Sequence, residues 1–110
     1  MLERQAYAFS VRQTDVYCVV RAEGELDIAS VAALRARVRG ARRTASRVVV
    51  DLRDVTFMDS LAVLALVGLQ REGDEDSHMH VVPGPHVQRV LDLTGARTQL
   101  RWISPEQLAA

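Results

Sequence analysis

Asp59 and Ser60 stand where a strand-like run gives way to a helix-like one, and they are the residues best placed to do chemistry. The segment from Val48 to Leu69 reads VVVDLRDVTFMDSLAVLALVGL. Its β-branched start, Val48–Val50, ends at Asp51. A short polar crossing follows, then Phe57-Met58-Asp59-Ser60, then the apolar run Leu61–Leu69. This is the pattern of a buried strand, a loop and a serine at the mouth of a helix. Aspartate and serine are favoured there because their oxygens accept hydrogen bonds from the free N–H groups of the first turn. The same N–H groups and the helix dipole also favour an anion, so a phosphate on Ser60 is the second chemistry open to this junction. Phosphorylation would add roughly −1.5 to −2 charges. Asp59 would oppose it and the dipole would favour it, so the expected effect is on binding rather than on folding.

Other candidates are weaker. His78, His80 and His86 cluster loosely around Pro83-Gly84-Pro85. His78 and His80 would share a face if that stretch is extended. Asp74 or Asp76 could complete a metal site, but no ligand spacing of a known kind supports one, and no metal is expected. Ser60 lacks a G-x-S-x-G elbow and a histidine at a spacing that marks it as a base, so no hydrolase is expected. No glycine-rich phosphate loop is present, and no bound cofactor is expected. Cys18 falls in an apolar strand and reads as an inert core residue.

The chain has 110 residues, the length of one ordinary domain, and it reads as a single domain over residues 1–110. A hydrophobic fraction of 48% with 25% charged residues is that of a globular protein. Formal net charge is zero, which argues against direct nucleic-acid binding or attraction to an anionic membrane. All 14 basic residues are arginine. A single cysteine excludes an internal disulfide framework and fits a reducing cytoplasm. The start, MLERQAYAFS, has no signal-peptide core, and Leu61–Leu69 is too short to span a bilayer. The expected location is therefore cytoplasmic.

Several elements must position the junction. Tyr7–Gln13 and Val16–Glu23 read as a hairpin around Thr14-Asp15, with Gly24 as its stop. Asp27 or Ser30 can cap a helix to about Arg43, burying Val31, Leu34, Val38 and Ala41. Arg35, Arg39, Arg42 and Arg43 are left on its surface. Arg47–Asp51 is the central strand, buried on both sides or paired in parallel. The second helix spans Ser60 to Arg71. It is apolar on every face, so one side packs on the sheet, while Leu61, Leu64 and Gly68 meet a neighbouring helix or a partner. Met79–Val82 is a further strand. Pro85–Thr94 is a third helix, buried through Val87, Val90, Leu91 and Thr94 and stopped by Gly95. Gln99–Ile103 reads as a last strand. Ser104-Pro105-Glu106-Gln107 has a capping-box pattern opening a very short helix. Strands alternating with helices make an α/β domain.

With these residues in place, the chain resembles the STAS domain of the bacterial anti-sigma factor antagonists. The motifs that carry the resemblance are Gly24-Glu25-Leu26-Asp27, Val49-Val50-Asp51-Leu52, Val55-Thr56-Phe57-Met58-Asp59-Ser60, and Val87-Gln88-Arg89-Val90-Leu91-Asp92-Leu93-Thr94-Gly95. The resemblance runs from about Tyr7 to Leu108. It implies a small α/β fold with a mixed four- to five-stranded sheet and helices packed mainly on one side. It implies phosphorylation at Ser60 and puts Asp27 and Asp59 near the interface; together with the apolar start of the second helix, the expected partner surface is Asp27, Asp59, Ser60, Leu61, Ala62 and Leu64. It implies an anti-sigma factor serine kinase that uses ATP as the partner, a phosphatase that resets the phosphoserine, and control of sigma-factor-dependent transcription. A weak homodimer is a further assembly to test. The family usually continues as D-S-[ST]-G, whereas Leu61 and Ala62 follow Ser60 here. A STAS module that binds without being switched, as a scaffold or as a transporter-associated subunit, is the alternative.

Overall fold

In the computed structural model, which describes residues 6–73 and 78–109, nine elements follow one another along the chain. They are strand β1 (Tyr7–Gln13), strand β2 (Cys18–Leu26), helix α1 (Ile28–Thr44), strand β3 (Arg47–Met58), helix α2 (Ser60–Glu72), strand β4 (His78–Val82), helix α3 (Pro85–Thr94), a 3-10 turn (Ala96–Gln99) and the short helix α4 (Pro105–Ala109). The sheet is four-stranded and mixed, in the order β1-β2-β3-β4. β1 pairs antiparallel with β2, as the hairpin pattern predicts, and the β2–β3 and β3–β4 pairs are parallel.

The alternation of β3 divides the core. Val48, Val50 and Leu52 face a layer built by α1, α2 and α3, with Leu34, Val38, Leu66, Leu69, Val87 and Leu91 buried among them. Val49 faces the other way, into a smaller cluster with Val19, Val82, Ile103 and Leu108. Helices therefore pack mainly on one face, and α4 with the segment before it covers part of the other. A strand apolar on consecutive residues is what such double cover requires. Val31, Leu34, Val38 and Ala41 of α1 are buried as their spacing predicts.

Several expectations need correction. β3 does not end at Asp51; it runs on to Met58, because Arg53, Asp54 and Thr56 occupy exposed positions while pairing with β2 continues. β2 likewise passes Gly24 and ends at Leu26. Gly24 takes φ +84° beside the Ala6 carbonyl, where a Cβ would lie 2.2 Å from that oxygen. The last strand reduces to an isolated bridge between Val81 and Trp102, since residues Ala96–Gln99 are spent on the 3-10 turn. On α3, Val87 and Leu91 are buried, but Thr94 is exposed and turns its hydroxyl to the Val90 carbonyl (2.9 Å). Gly84, between two prolines, allows α3 to meet β3 closely; a Cβ there would sit 2.8 Å from backbone atoms of Leu52 and Arg53.

Polar contacts tie α1 to α2. Arg42, expected on the surface, is largely buried and donates to the Leu69 carbonyl near the end of α2. The last carbonyls of a helix lack the usual partner four residues on, and the Gly73 N–H goes to Gln70 instead, so the guanidinium supplies a donor at this end. Glu72 pairs with Arg39 and Arg42 across the two helices. On the opposite face Asp51 is buried. Its carboxylate accepts from the Arg53 side chain at 3.0 and 2.8 Å and from the Arg53 backbone N–H at 3.1 Å. Burial pushes the Asp51 pKa up, but the Arg53 hydrogen bonds and charge outweigh it, and the net direction is below the ordinary 3.8.

A carboxyl whose folded pKa is depressed stabilises the fold above its unfolded value, and loses that contribution as pH falls through the folded one. We expect Asp51→Asn to lower unfolding free energy near neutral pH by about 1–2 kcal/mol, because half of the Arg53 head remains solvated. Urea unfolding of the two proteins should differ near neutral pH and converge as pH drops below the carboxylate range. A constant difference at all pH values would show that the charge of Asp51 contributes nothing.

Candidate functional site

The parallel pairing of β2 with β3 sets Leu26 opposite Met58. The next residue on each strand is an aspartate, and each aspartate opens a helix. The Asp59 N–H donates to the Leu26 carbonyl (3.1 Å), which joins the two strand exits. Asp27 caps α1: its Oδ1 accepts from the Ala29 N–H (3.0 Å), and its own N–H donates to Ser30 Oγ (2.9 Å). Asp27 and Ser30, alternatives in the sequence reading, thus act together as a capping box. Asp59 caps α2, its Oδ1 accepting from the Ala62 N–H (3.0 Å). Two helix N-termini, each with its positive dipole end, therefore emerge at one pole of the sheet.

Because Asp59 takes the capping bond, Ser60 is free of that task. It occupies the first helical position and is exposed. Large apolar side chains are exposed on the same elements: Ile28 (74%), Phe57 (49%), Leu61 (46%) and Leu64 (65%). Leu64 lies one turn beyond Ser60, and both line a groove of about 270 Å³ with Val63, Val67, Thr94 and Ala96. Apolar groups of this size left in water at one pole are the mark of a contact surface. Leu61, Leu64 and Gly68 are thus not covered by a neighbouring helix. Ala62, counted with the partner surface in the sequence reading, is fully buried, so its methyl fills the core and cannot touch a partner.

Ile28 and Phe57 were missed by sequence reasoning. Ile28 carried a signal, since it directly follows the capping aspartate. Phe57 did not. Simple alternation would turn it to the same side as buried Val55. The β2–β3 register slips between Gly24 and Glu25, which face Val55 and Phe57 with Thr56 as the extra residue. That bulge rotates Phe57 outward and returns Met58 to the core.

The remaining candidates lie elsewhere. His78 and His80 do share a face of β4, with Tyr17, Arg47 and Arg101 around them, while His86 lines a separate groove beside Phe57. Asp74 and Asp76 lie outside the described residues. Among the described residues no three His, Cys, Asp or Glu side chains are grouped to hold a metal ion. No histidine lines the groove that holds Ser60. Cys18 is buried, and burial pushes its thiol pKa up, which suppresses the reactive thiolate. No helix among the described residues is long and apolar enough to cross a membrane.

Comparison with known proteins agrees with this fold. No curated protein matches the chain. Among solved structures, an anti-sigma factor antagonist from Mycobacterium paratuberculosis is similar with a TM-score of 0.79 and 25% identity, over 90% of this chain and 86% of that one. The anti-sigma factor antagonist SpoIIAA in its unphosphorylated form is similar with a TM-score of 0.71 and 25% identity, over 93% of both chains. A putative anti-sigma factor antagonist from Thermotoga maritima shares the fold, with a TM-score of 0.71 and 20% identity over 92% of this chain and 91% of that one. The family model described as "Mlab, STAS domain" matches residues 9–102. That match spans most of the chain, and the protein therefore belongs to the STAS domain family.

Proposed function

We propose that this protein is an anti-sigma factor antagonist, a non-enzymatic binding protein switched at Ser60. The observation that carries the reading is an exposed serine at the first position of α2, on a pole that also exposes Ile28, Phe57, Leu61 and Leu64. In this reading the unphosphorylated protein binds an anti-sigma factor serine kinase through that pole, with Asp27, Asp59, Ser60, Leu61 and Leu64 in contact. A sigma factor is thereby released in the cytoplasm. The kinase transfers the terminal phosphate of ATP to Ser60, the complex breaks, and a phosphatase restores the hydroxyl. The likeness to anti-sigma factor antagonists at 25% identity supports this role.

Physical terms explain why such a switch acts on binding. A phosphate on Ser60 meets the positive end of α2, worth about 0.3–1 kcal/mol, and is opposed by the carboxylate of Asp59. The two terms offset within the fold. Across an interface nothing offsets them: a patch bearing Leu61 and Leu64 gains roughly two negative charges that must be desolvated on contact.

A second reading, a STAS module that binds without being switched, is favoured by Leu61, whose half-exposed side chain stands where the family usually has a small hydroxyl residue. Ala62 does not bear on the choice, because it is buried.

The deciding experiment mixes the purified protein with an anti-sigma factor serine kinase from the same organism and ATP, followed by intact mass and peptide mapping. A phosphate on Ser60 is expected. If the kinase is active on another substrate and leaves Ser60 bare, the second reading replaces the first. Ser60→Ala should bind the kinase and resist release by ATP, and Ser60→Asp should bind weakly; wild-type behaviour of both variants with and without ATP would sink the switch. Stability should separate the two neighbouring residues. Asp59→Ala should cost about 1 kcal/mol through loss of the α2 cap, whereas Ser60→Ala should stay within about 0.5 kcal/mol of wild type by chemical denaturation. An equal loss at both positions would mean that Ser60 is part of the cap.

A further inference from the structure

At the opposite end of the sheet, the face away from α1, α2 and α3 carries a second polar constellation. β3 begins at Arg47, eleven residues before Met58, so this end lies roughly 35 Å from the Ser60 pole. Arg47 pairs in register with His78, and Val49 with His80. The side chains of Arg47, His78 and His80 thus stand on the face that holds Val49 and Val82. Tyr17, at the entry to β2, and Arg101, just before the Trp102 bridge, close the sides. Together these five residues line an open hollow of about 350 Å³.

The chemistry of this lining is one-sided. Among the described residues it contains two guanidinium groups, two imidazoles and a phenol, and no carboxylate. Arg101 Nη1 stands 2.9 Å from His78 Nδ1. An arginine only donates, so Nδ1 accepts and the ring proton of His78 sits on Nε2. His80 Nδ1 is buried with no hydrogen-bond partner among the described residues. Leaving a proton there would bury an unpaired N–H, so the tautomer of lower cost keeps it on Nε2. Both imidazoles are then donors through Nε2, like the arginines beside them. Burial first, then Arg101, His78 and Arg47, hold the His80 pKa below its ordinary 6.5. The described lining therefore gathers two guanidinium groups and imidazole N–H donors in one hollow.

We infer that this hollow is a binding site for a phosphoryl group, free or carried on a small organic molecule, held by Arg47 and Arg101 with His78, His80 and Tyr17 as further donors. The planar guanidinium forks suit the oxygens of a phosphate, and a hollow of this size admits a phosphate monoester. The ligand requires nothing from the Ser60 pole, so the site stands or falls apart from the switch.

The test is an NMR titration of the full chain near neutral pH, at constant ionic strength, following the three histidine rings. Inorganic phosphate should shift the His78 and His80 signals saturably, spare His86, and raise the pH at which His80 titrates, because the added negative charge stabilises its protonated form. Arg101→Gln should weaken binding about tenfold or more. Arg47→Gln, at an exposed position, provides the same test should the first variant be unstable. Glycerol phosphate binding more tightly than inorganic phosphate would identify a phosphate ester as the ligand class, and equal binding would identify the free anion. Shifts reproduced by chloride, or folded variants that bind phosphate as wild type does, would overturn the proposal.

Discussion

The parallel register of β2 against β3 is the constraint on which the rest of the molecule depends. Leu26 opposite Met58 makes two strands finish level, and the aspartate after each one turns the chain into a helix. Both N-termini must then open at the same pole. Parallel strands need a crossover, and α1 supplies it, packing Leu34 and Val38 against the face that Val48 and Val50 present. Had β3 run antiparallel to β2, the two caps would lie at opposite ends of the sheet, and Ser60 would have no Asp27 or Ile28 beside it.

Two bulges adjust that register. Between Arg21 and Glu23, and again between Gly24 and Glu25, β3 contributes one more residue than β2. The buried positions of β3 therefore change spacing, from consecutive residues up to Leu52 to every third residue at Val55 and Met58. Each extra residue twists the strand and re-aims the side chains after it. One result is structural, since Met58 stays in the core. The other concerns recognition, since Phe57 is turned to solvent on the pole that holds Ser60.

Charge is distributed to match. Near the Ser60 pole, the carboxylates of Asp27 and Asp59 serve as helix caps, each accepting a backbone hydrogen bond at Oδ1. At the far end, guanidinium and imidazole groups converge without a described carboxylate in their lining. In between, the buried Asp51 is neutralised by Arg53 on its own strand.

Local features were legible in the sequence because local physics sets them. The capping residues Asp27 and Asp59 serve the backbone N–H groups just ahead of them. The 3.6-residue spacing of Val31, Leu34 and Val38 marks a buried helix face, and the apolar run at Val48–Val50 marks a strand covered on both sides. These patterns, with the order of the motifs, were enough to assign the α/β fold and to single out Ser60. Pairing decided the rest. The length of β3 past Asp51, the outward turn of Phe57, the burial of Ala62 and the loss of a regular fifth strand all depend on which residue stands opposite which. So does the meeting of Tyr17, Arg47, His78, His80 and Arg101, drawn from four separate stretches of chain. Spacing along a sequence reports what a residue does to its near neighbours; contacts across a sheet are set by register, and register appears only when the strands have paired.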